Sequence, residues 1–287
     1  MAESIEQYYT EQYQNTIRVL SQQKTSRLLE TTIPPIKVVG NALYWERMGA
    51  TEAIEVVRHD DTPNIDVDHS RRKQTATPRI WATLLDTVDE VRMLVDPKNY
   101  YNVIANMAFN RAKDRDIIAA LGGSSWSGQT GTTEVVLPAA QKIAVGATGL
   151  TLTKMLTAKE MLDAAEVDED MPRFIVCASR QITNLLETTE VKNINYNSVK
   201  ALVEGNINTP LLGFKFIRTQ LLDLTATTRS CYAYAKGAIG FGILSDIESK
   251  IDQRADKNYE WQVWGKMDIG ATRIEEEQVV EIACLEE

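Results

Sequence analysis

Histidine is scarce in this 287-residue chain: there are two, His59 and His69, and both fall in one polar stretch. Histidine-based acid–base chemistry is therefore excluded everywhere else. The three cysteines, Cys177, Cys231 and Cys284, each stand alone among apolar or small residues. They cannot close a complete disulfide set, and they read as buried thiols of a protein made in a reducing compartment. No run approaches the ~20 apolar residues of a membrane helix. The opening residues, Met1 to Glu6, have neither the basic start nor the apolar centre of a secretory signal, so a soluble, cytosolic product with no membrane partner is expected. Basic charge is in deficit too. Lys and Arg number 31 against 40 Asp and Glu, a net charge of -9, which argues against a grip on duplex DNA through broad phosphate neutralisation. An acidic surface can still enclose DNA. Residues 275–287 hold six glutamates and no Lys or Arg, so that end is expected to repel anions and to respond to salt. Repeats and low-complexity tracts are also missing, which removes solenoids and propellers.

What is present is a chain long enough for a substantial core and a definite succession of segments. Ile5, Tyr9, Tyr13, Ile17 and Leu20 recur at three- and four-residue steps and predict an amphipathic helix over residues ~4 to 21. Ile33-Pro34-Pro35-Ile36 then enforces extended backbone, so residues 1–40 read as an arm. Thr51 to Arg58 and Arg79 to Val88 lean towards strand. Between them lies a polar connection from His59 to Pro78, too long for an ordinary loop in a compact domain. If the two flanks pair, they make a projecting hairpin that needs outside support. Asp96-Pro97 is a helix start and Leu121-Gly122-Gly123 a helix stop. The helix between them is expected to bury Tyr100, Ile104, Met107, Ala108, Ile118 and Leu121 as one stripe and to leave its polar middle, Asn110 to Asp116, outside. Beyond a Gly/Ser loop at Gly122 to Gly131, helices are expected at Thr153 to Ala165, Arg180 to Thr188 and Ser198 to Glu204. Strands are expected at Arg173 to Ala178, Gly213 to Thr219 and Cys231 to Ala235. The mixture indicates an α+β or α/β lobe. Tyr259 to Ile269 alternates as a half-buried strand with Trp261 inward and Trp264 outward, and Gln278 to Leu285 closes the chain.

Residue clusters of the kind that carry chemistry are weak. His59, Asp60, Asp61, Asp66, Asp68 and His69 are metal-binding types, but their spacing matches neither a helical His pair nor a calcium loop. A charged loop tip is the plainer reading. Gly237, Gly240 and Gly242 stand in the wrong order for a dinucleotide fingerprint, and Gly122 to Gly131 lacks the Gly-Lys-Ser/Thr of a phosphate loop; turns or close-packing sites fit both. Cys177, inside Phe174-Ile175-Val176, reads as a strand residue and not as a nucleophile. Glu275-Glu276-Glu277 reads as a solvated turn.

In this order, the segments resemble the major capsid protein of tailed phages with the Hong Kong 97-type fold. Ala42-Leu43-Tyr44-Trp45-Glu46-Arg47, Thr209-Pro210-Leu211-Leu212-Gly213-Phe214-Lys215-Phe216 and Gly270-Ala271-Thr272-Arg273 add to the likeness. The resemblance implies an α+β fold with an N-terminal arm (1–40), an E-loop hairpin with its flanks (41–88) and a P-domain spine helix (89–123). A mainly A-domain region (124–258) and C-terminal strands returning to the P-domain (259–287) complete it. It further implies a non-enzymatic, cofactor-free and metal-free shell subunit, assembled in the host cytoplasm. Hexamers and pentamers of it close into an icosahedral virion capsid around double-stranded DNA. A portal protein, and a separate scaffold or decoration protein where one exists, are the implied partners, since forty residues are too few for a built-in scaffold. Under this resemblance Arg58, Asp60, Asp61, Asp66, Asp68, Arg71, Arg72 and Lys73 are candidates for intersubunit ion pairs, each worth ~0 to 1 kcal/mol when exposed. Lys73 stands where some family members cross-link, although a solvated or ion-paired lysine is the simpler role. Deleting Asp61 to Lys73 is then expected to leave a folded subunit that assembles poorly. Two other readings are an encapsulin-type cargo compartment, separable by a neighbouring portal or terminase gene, and a metal-dependent hydrolase using loop 59–69.

Overall fold

The computed structural model describes residues 19–59, 61–62, 64–86, 98–187 and 211–286. The expected N-terminal helix, the Asp96-Pro97 start and the helix at Ser198 to Glu204 lie outside these residues, apart from residues 19–21, which are not helical. The long helix is present as α1, Lys98–Gly122. It ends at the expected glycines, where the Gly123 N–H bonds to the Ala119 carbonyl at 2.8 Å.

α1 crosses one face of a sheet built on a long antiparallel hairpin. Strands β12 (Ile239–Arg254) and β13 (Glu260–Arg273) form the hairpin. Strand β4 (Thr77–Leu85) pairs on the outside of β13, and the short β1 (Ile36–Lys37) runs parallel to β12 on the other side. Val263, Gly265, Met267 and Ile269 are buried at alternate positions of β13, the period of two expected when one face meets the core. Gly265 lies under the Phe109 ring of α1, where a Cβ would stand 2.8 Å from ring carbon. Trp261 shares that face but is half-buried, with the Lys98 ammonium 4.0 Å above its ring; Trp264, on the opposite face, is also half-buried.

A second sheet has the order β2 (Ala42–Met48), β3 (His69–Thr75), β5 (Ser125–Ser127) and β6 (Thr133–Val135). The third carries β7 (Lys142–Ile143), β14 (Val279–Leu285), β11 (Thr228–Ala235), β8 (Arg173–Cys177) and β9 (Phe214–Arg218) in that order, with β10 (Leu224–Thr225) also on β11. Helices α2 (Leu152–Ala164) and α3 (Ser179–Glu187) belong to this lobe. β8 is buried at every position, as a strand covered on both faces must be. It leads through α3 to the parallel β9. The three cysteines are free and buried in this sheet. The mixed α+β class and the strands expected at Arg173, Gly213, Cys231, Tyr259 and Gln278 are all found.

Some expectations are corrected. Thr51 to Arg58 is not a strand. Its β-branched residues have the right propensity, but among the described residues no neighbour supplies a ladder, and strand propensity alone does not hold a strand. The hairpin is instead β2 with β3, registered from Ala42↔Thr75 to Met48↔His69. Half of the supposed polar connection is therefore strand, so deleting Asp61 to Lys73 would remove most of β3. The glycines of Gly237 to Gly242 divide: Gly237 is in a 3-10 turn, while Gly240 and Gly242 sit inside β12 as close-packing sites. β12, grouped by sequence with residues 124–258, belongs to the α1 sheet, and β14 belongs to the third sheet, not beside β13. Finally, the middle of α1 is not a solvent face, because Lys113 and Asp114 are buried.

β11 continues into β12 and β13 into β14, so one antiparallel ribbon passes from the third sheet to the first. The break in that ribbon, at residues 235–238 and 274–278, is where the hairpin is fixed.

Candidate functional site

Loop 49–68 leaves the β2–β3 hairpin just beyond its last backbone bond, Gly49 N–H to the Asp68 carbonyl at 2.8 Å. It exposes Ile54, Val56, Val57, Ile65 and Val67. The candidate contact residues are spread along this unit. Arg58, Asp61, Asp66 and Asp68 are exposed, and Asp60 lies outside the described residues. Arg71 pairs with Glu46 across the hairpin at 3.3 Å and lies 5.6 Å over the Tyr44 ring. Lys73 lays its stem against Gly131, which adopts φ +65°, and donates to the Thr130 carbonyl at 3.3 Å. Among the described residues no three of His, Cys, Asp and Glu come together as a metal-holding group.

Arg72 differs from the rest. It is 6 % exposed and engaged inside its own subunit. Its guanidinium donates three times to Glu276, Nη2 lying 2.9 Å from Oε2 and 3.1 Å from Oε1 and Nε 3.3 Å from Oε1, and once to Ser127 Oγ at 2.8 Å. Glu276, in the turn between β13 and β14, also takes Arg47 of β2 at 3.4 Å and Ser125 of β5 at 3.4 Å. Arg273 stands 3.9 Å away and is fully buried. It donates to the carbonyls of Leu121 at 3.0 Å, Gly123 at 2.7 Å and Val135 at 3.1 Å. Arg273 thus satisfies the carbonyls left bare at the end of α1, and Glu276 gathers both hairpin strands to the same point. Burial pushes the Glu276 carboxyl up; hydrogen bonds and charge from Arg72, helped by Arg47, outweigh burial and hold it below the ordinary carboxylate range.

A second clamp sits beside the first. Trp45 donates to Gln74 Oε1 at 2.7 Å, and the buried Gln74 donates to the Gly270 carbonyl of β13 at 2.5 Å. Trp45 lies flat enough on Gly240 that any Cβ there would collide with its ring, which is why β12 carries glycine at this position. Sequence reading missed Glu276, taken as part of a solvated turn, and also Arg47 and Gln74. Hydrophobicity carries no trace of a buried polar clamp. The available signals are the Ala42 to Arg47 and Gly270 to Arg273 stretches, which carry the family likeness and contain Trp45, Arg47 and Arg273.

The remaining clusters are structural. Burial pushes the Cys177 thiol up to about 12, which leaves no thiolate at neutral pH. Lys154 Nζ is enclosed by the carbonyls of Val145 at 2.8 Å, Thr148 at 2.9 Å, Gly149 at 3.1 Å and Ala283 at 2.9 Å, tying α2 to β14.

The fold as a whole superposes on solved phage capsid proteins. The capsid structure of the cyanophage P-SCSP1u superposes with a TM-score of 0.77 at 15% identity, over 100% of this chain and 96% of that one. The capsid of Ralstonia phage GP4 gives 0.74 at 10% identity, over 97% and 95%. The capsid asymmetric unit of cyanophage Pam1 gives 0.73 at 14%, over 96% of each chain. No curated protein matches significantly. The phage capsid protein family matches residues 5–286, nearly the whole sequence, and the chain therefore belongs to the phage capsid protein family as a structural subunit of a virion shell.

Proposed function

We propose that this subunit forms hexamers and pentamers that close into an icosahedral shell around the double-stranded DNA of a tailed phage, with no catalytic step of its own. In this reading the β2–β3 hairpin with loop 49–68 is the E-loop, laid across a neighbouring subunit. α1 is the spine helix and the sheet beneath it the P-domain. The third sheet with α2 and α3 is the A-domain, directed towards the capsomer axis, and residues 1–40 form the N-terminal arm. The observation that carries the reading is the contrast within one hairpin. Its base is locked by Glu276 and Gln74, while its tip presents Ile54, Val56 and Val57 to solvent. A lone subunit gains nothing from a rigid arm with an apolar end; a repeating neighbour covers it.

Arg58, Asp61, Asp66 and Asp68 are exposed charges that help set register between subunits, with Asp60 beside them in sequence and the half-buried Arg71 further along the hairpin. Exposed pairs contribute ~0 to 1 kcal/mol each, so apolar contact repeated over many interfaces supplies most of the assembly energy. The net charge of -9 suits a wall that contains DNA without binding its sequence. A portal protein, and a scaffold or decoration protein where one exists, complete the partners, and assembly takes place in the host cytoplasm.

Electron microscopy with size-exclusion chromatography of the purified protein tests the reading: shells or free rings are expected. A subunit that stays monomeric at high concentration and in the presence of scaffold candidates would overturn it. Replacing residues 51–66 by a short Gly/Ser turn keeps β3 and both clamps, and is expected to leave a folded subunit that no longer assembles.

A further inference from the structure

Strand edges are hazardous in soluble proteins and are usually charged, short or covered. The α1 sheet treats its two edges differently. Among the described residues, β12 pairs on its outer side only with β1, at Gly242 and Ile243. The open remainder, Ser245 to Arg254, carries Asp246, Glu248, Lys250, Asp252 and Arg254, a guarded edge. β4 is the opposite edge, and nothing among the described residues pairs with its outer side. It holds no acidic residue, and Ile80 is 64 % exposed and Leu84 40 %. Its start is blunted by Pro78 alone.

The chain also contains a segment with strand propensity and no ladder, Thr51 to Val57. The two match face by face. On β4, Arg79 turns towards α1, where it pairs with Asp116 at 2.5 Å. Ile80, Ala82 and Leu84 therefore point to the opposite, open face, next to Trp264, which is the register partner of Ala82. In an extended 51–57, Ile54 and Val56 fall on one face and Glu55 on the other. A single parity thus lays the aliphatic pair alongside Ile80 and Leu84 and brings Glu55 to the side of Arg79. Slipping by one residue destroys both matches at once.

We propose that residues 51–57 of a second copy of this chain add as a strand to the outer edge of β4. The inference rests on the shell reading above and names the surface that receives the hairpin tip. Strand addition of this kind gives affinity through main-chain hydrogen bonds and specificity through alternate side chains. It also explains why one edge is guarded while the other has no strand partner among the described residues.

Disulfide trapping in assembled particles tests it. Three double variants pair Ile54→Cys with Ile80→Cys, Ala82→Cys or Leu84→Cys. Under a copper–phenanthroline oxidant, at least one is expected to give a ladder of linked subunits on a non-reducing gel. Val57→Cys with Ala82→Cys, on opposite faces, is expected to give none. The native cysteines are buried and serve as the background control. Val56→Pro removes an N–H in an exposed loop and leaves the subunit folded. It is expected to lower the assembled fraction at fixed concentration by about tenfold, the effect of roughly one main-chain bond lost per interface. Particles that form without any cross-link, or that form normally from Val56→Pro, overturn strand addition and leave the shell reading standing. Absence of particles and rings from the unmodified protein overturns both.

Discussion

Glu276 is the residue on which the hairpin anchor turns, because one carboxylate faces Arg72, Arg47 and Arg273 from three strands. Removing one member of a buried ionic group leaves the others charged and desolvated, at a cost of about 3–5 kcal/mol. Glu276→Gln is expected to lose that much in a denaturant titration. Glu277→Gln, the exposed neighbour, is expected to stay within about 0.5 kcal/mol of the parent. The same carboxyl sets a response to acid. Its folded-state pKa lies below its ordinary value of 4.5, so protonation favours the unfolded chain. Its stabilising contribution is complete above the ordinary value and disappears as pH falls through the depressed one. Stability curves of the parent and Glu276→Gln are expected to converge as pH falls below the ordinary carboxylate range, and a constant gap between them as pH is lowered would show that the charge is not what matters. Among the described residues, three of the terminal glutamates are held by basic partners in the same chain, Glu276 by Arg72, Glu281 by Lys142 at 3.0 Å and Glu286 by Arg229 at 2.6 Å, and Glu275 accepts from Gln278. The tail is therefore much less of a free anionic brush than its composition implies.

At the scale of elements, α1 shows both what the sequence discloses and what it hides. Its end at Gly122, its length and part of its apolar stripe follow from stop signals and periodicity, and so do the buried β8 and the alternating β13. The function of its polar middle does not. Asp114 is fully buried and accepts from Ser26 Oγ at 2.5 Å and from the N–H groups of Arg27 at 3.1 Å and Leu28 at 3.2 Å, with Gln23 as a further donor. Asn110 and Arg111 take Lys24 and Gln22 of the same segment, at 2.9 and 2.6 Å. A charged helix face and a docking site for extended chain look alike in a hydrophobicity pattern. His69 to Thr75 misleads for the same reason: its inward residues are Arg72 and Gln74, so the period of two is written in polar residues. β12 was hidden by two irregularities of register, between Ile243 and Ser245 and between Ser245 and Glu248, which break the alternation. Hydrogen bonds to a charged group contribute about 1.5–3 kcal/mol each, so Asp114→Ala is expected to free residues 22–28 while α1 persists. Limited trypsin digestion reads this directly. Cleavage after Lys24 and Arg27 is expected to accelerate in Asp114→Ala, with no matching change in helical circular dichroism; equal cleavage rates would mean that these residues are held elsewhere.

At the scale of the molecule, the question is whether the lobes unfold together. One continuous apolar cluster joins Phe109, Ile117 and Leu121 of α1 to Phe174, Ile175 and Tyr234 of the third sheet and to Met267 and Ile269 of β13. The β11–β12 and β13–β14 ribbons cross the same boundary without a linker. Such a joint gives neither lobe a separate core, so a single cooperative transition is expected despite the chain's length. The sequence supplies a probe for each side. All five tryptophans, Trp45, Trp81, Trp126, Trp261 and Trp264, lie in the first two sheets, and all three cysteines lie in the third. Tryptophan fluorescence and thiol labelling therefore report opposite lobes during one urea titration. Coincident midpoints are expected. Thiols that become reactive well before or after the tryptophans change would mean that the third-sheet lobe opens alone, and that the ribbon bends at residues 235–238 and 274–278 instead of transmitting strain across them.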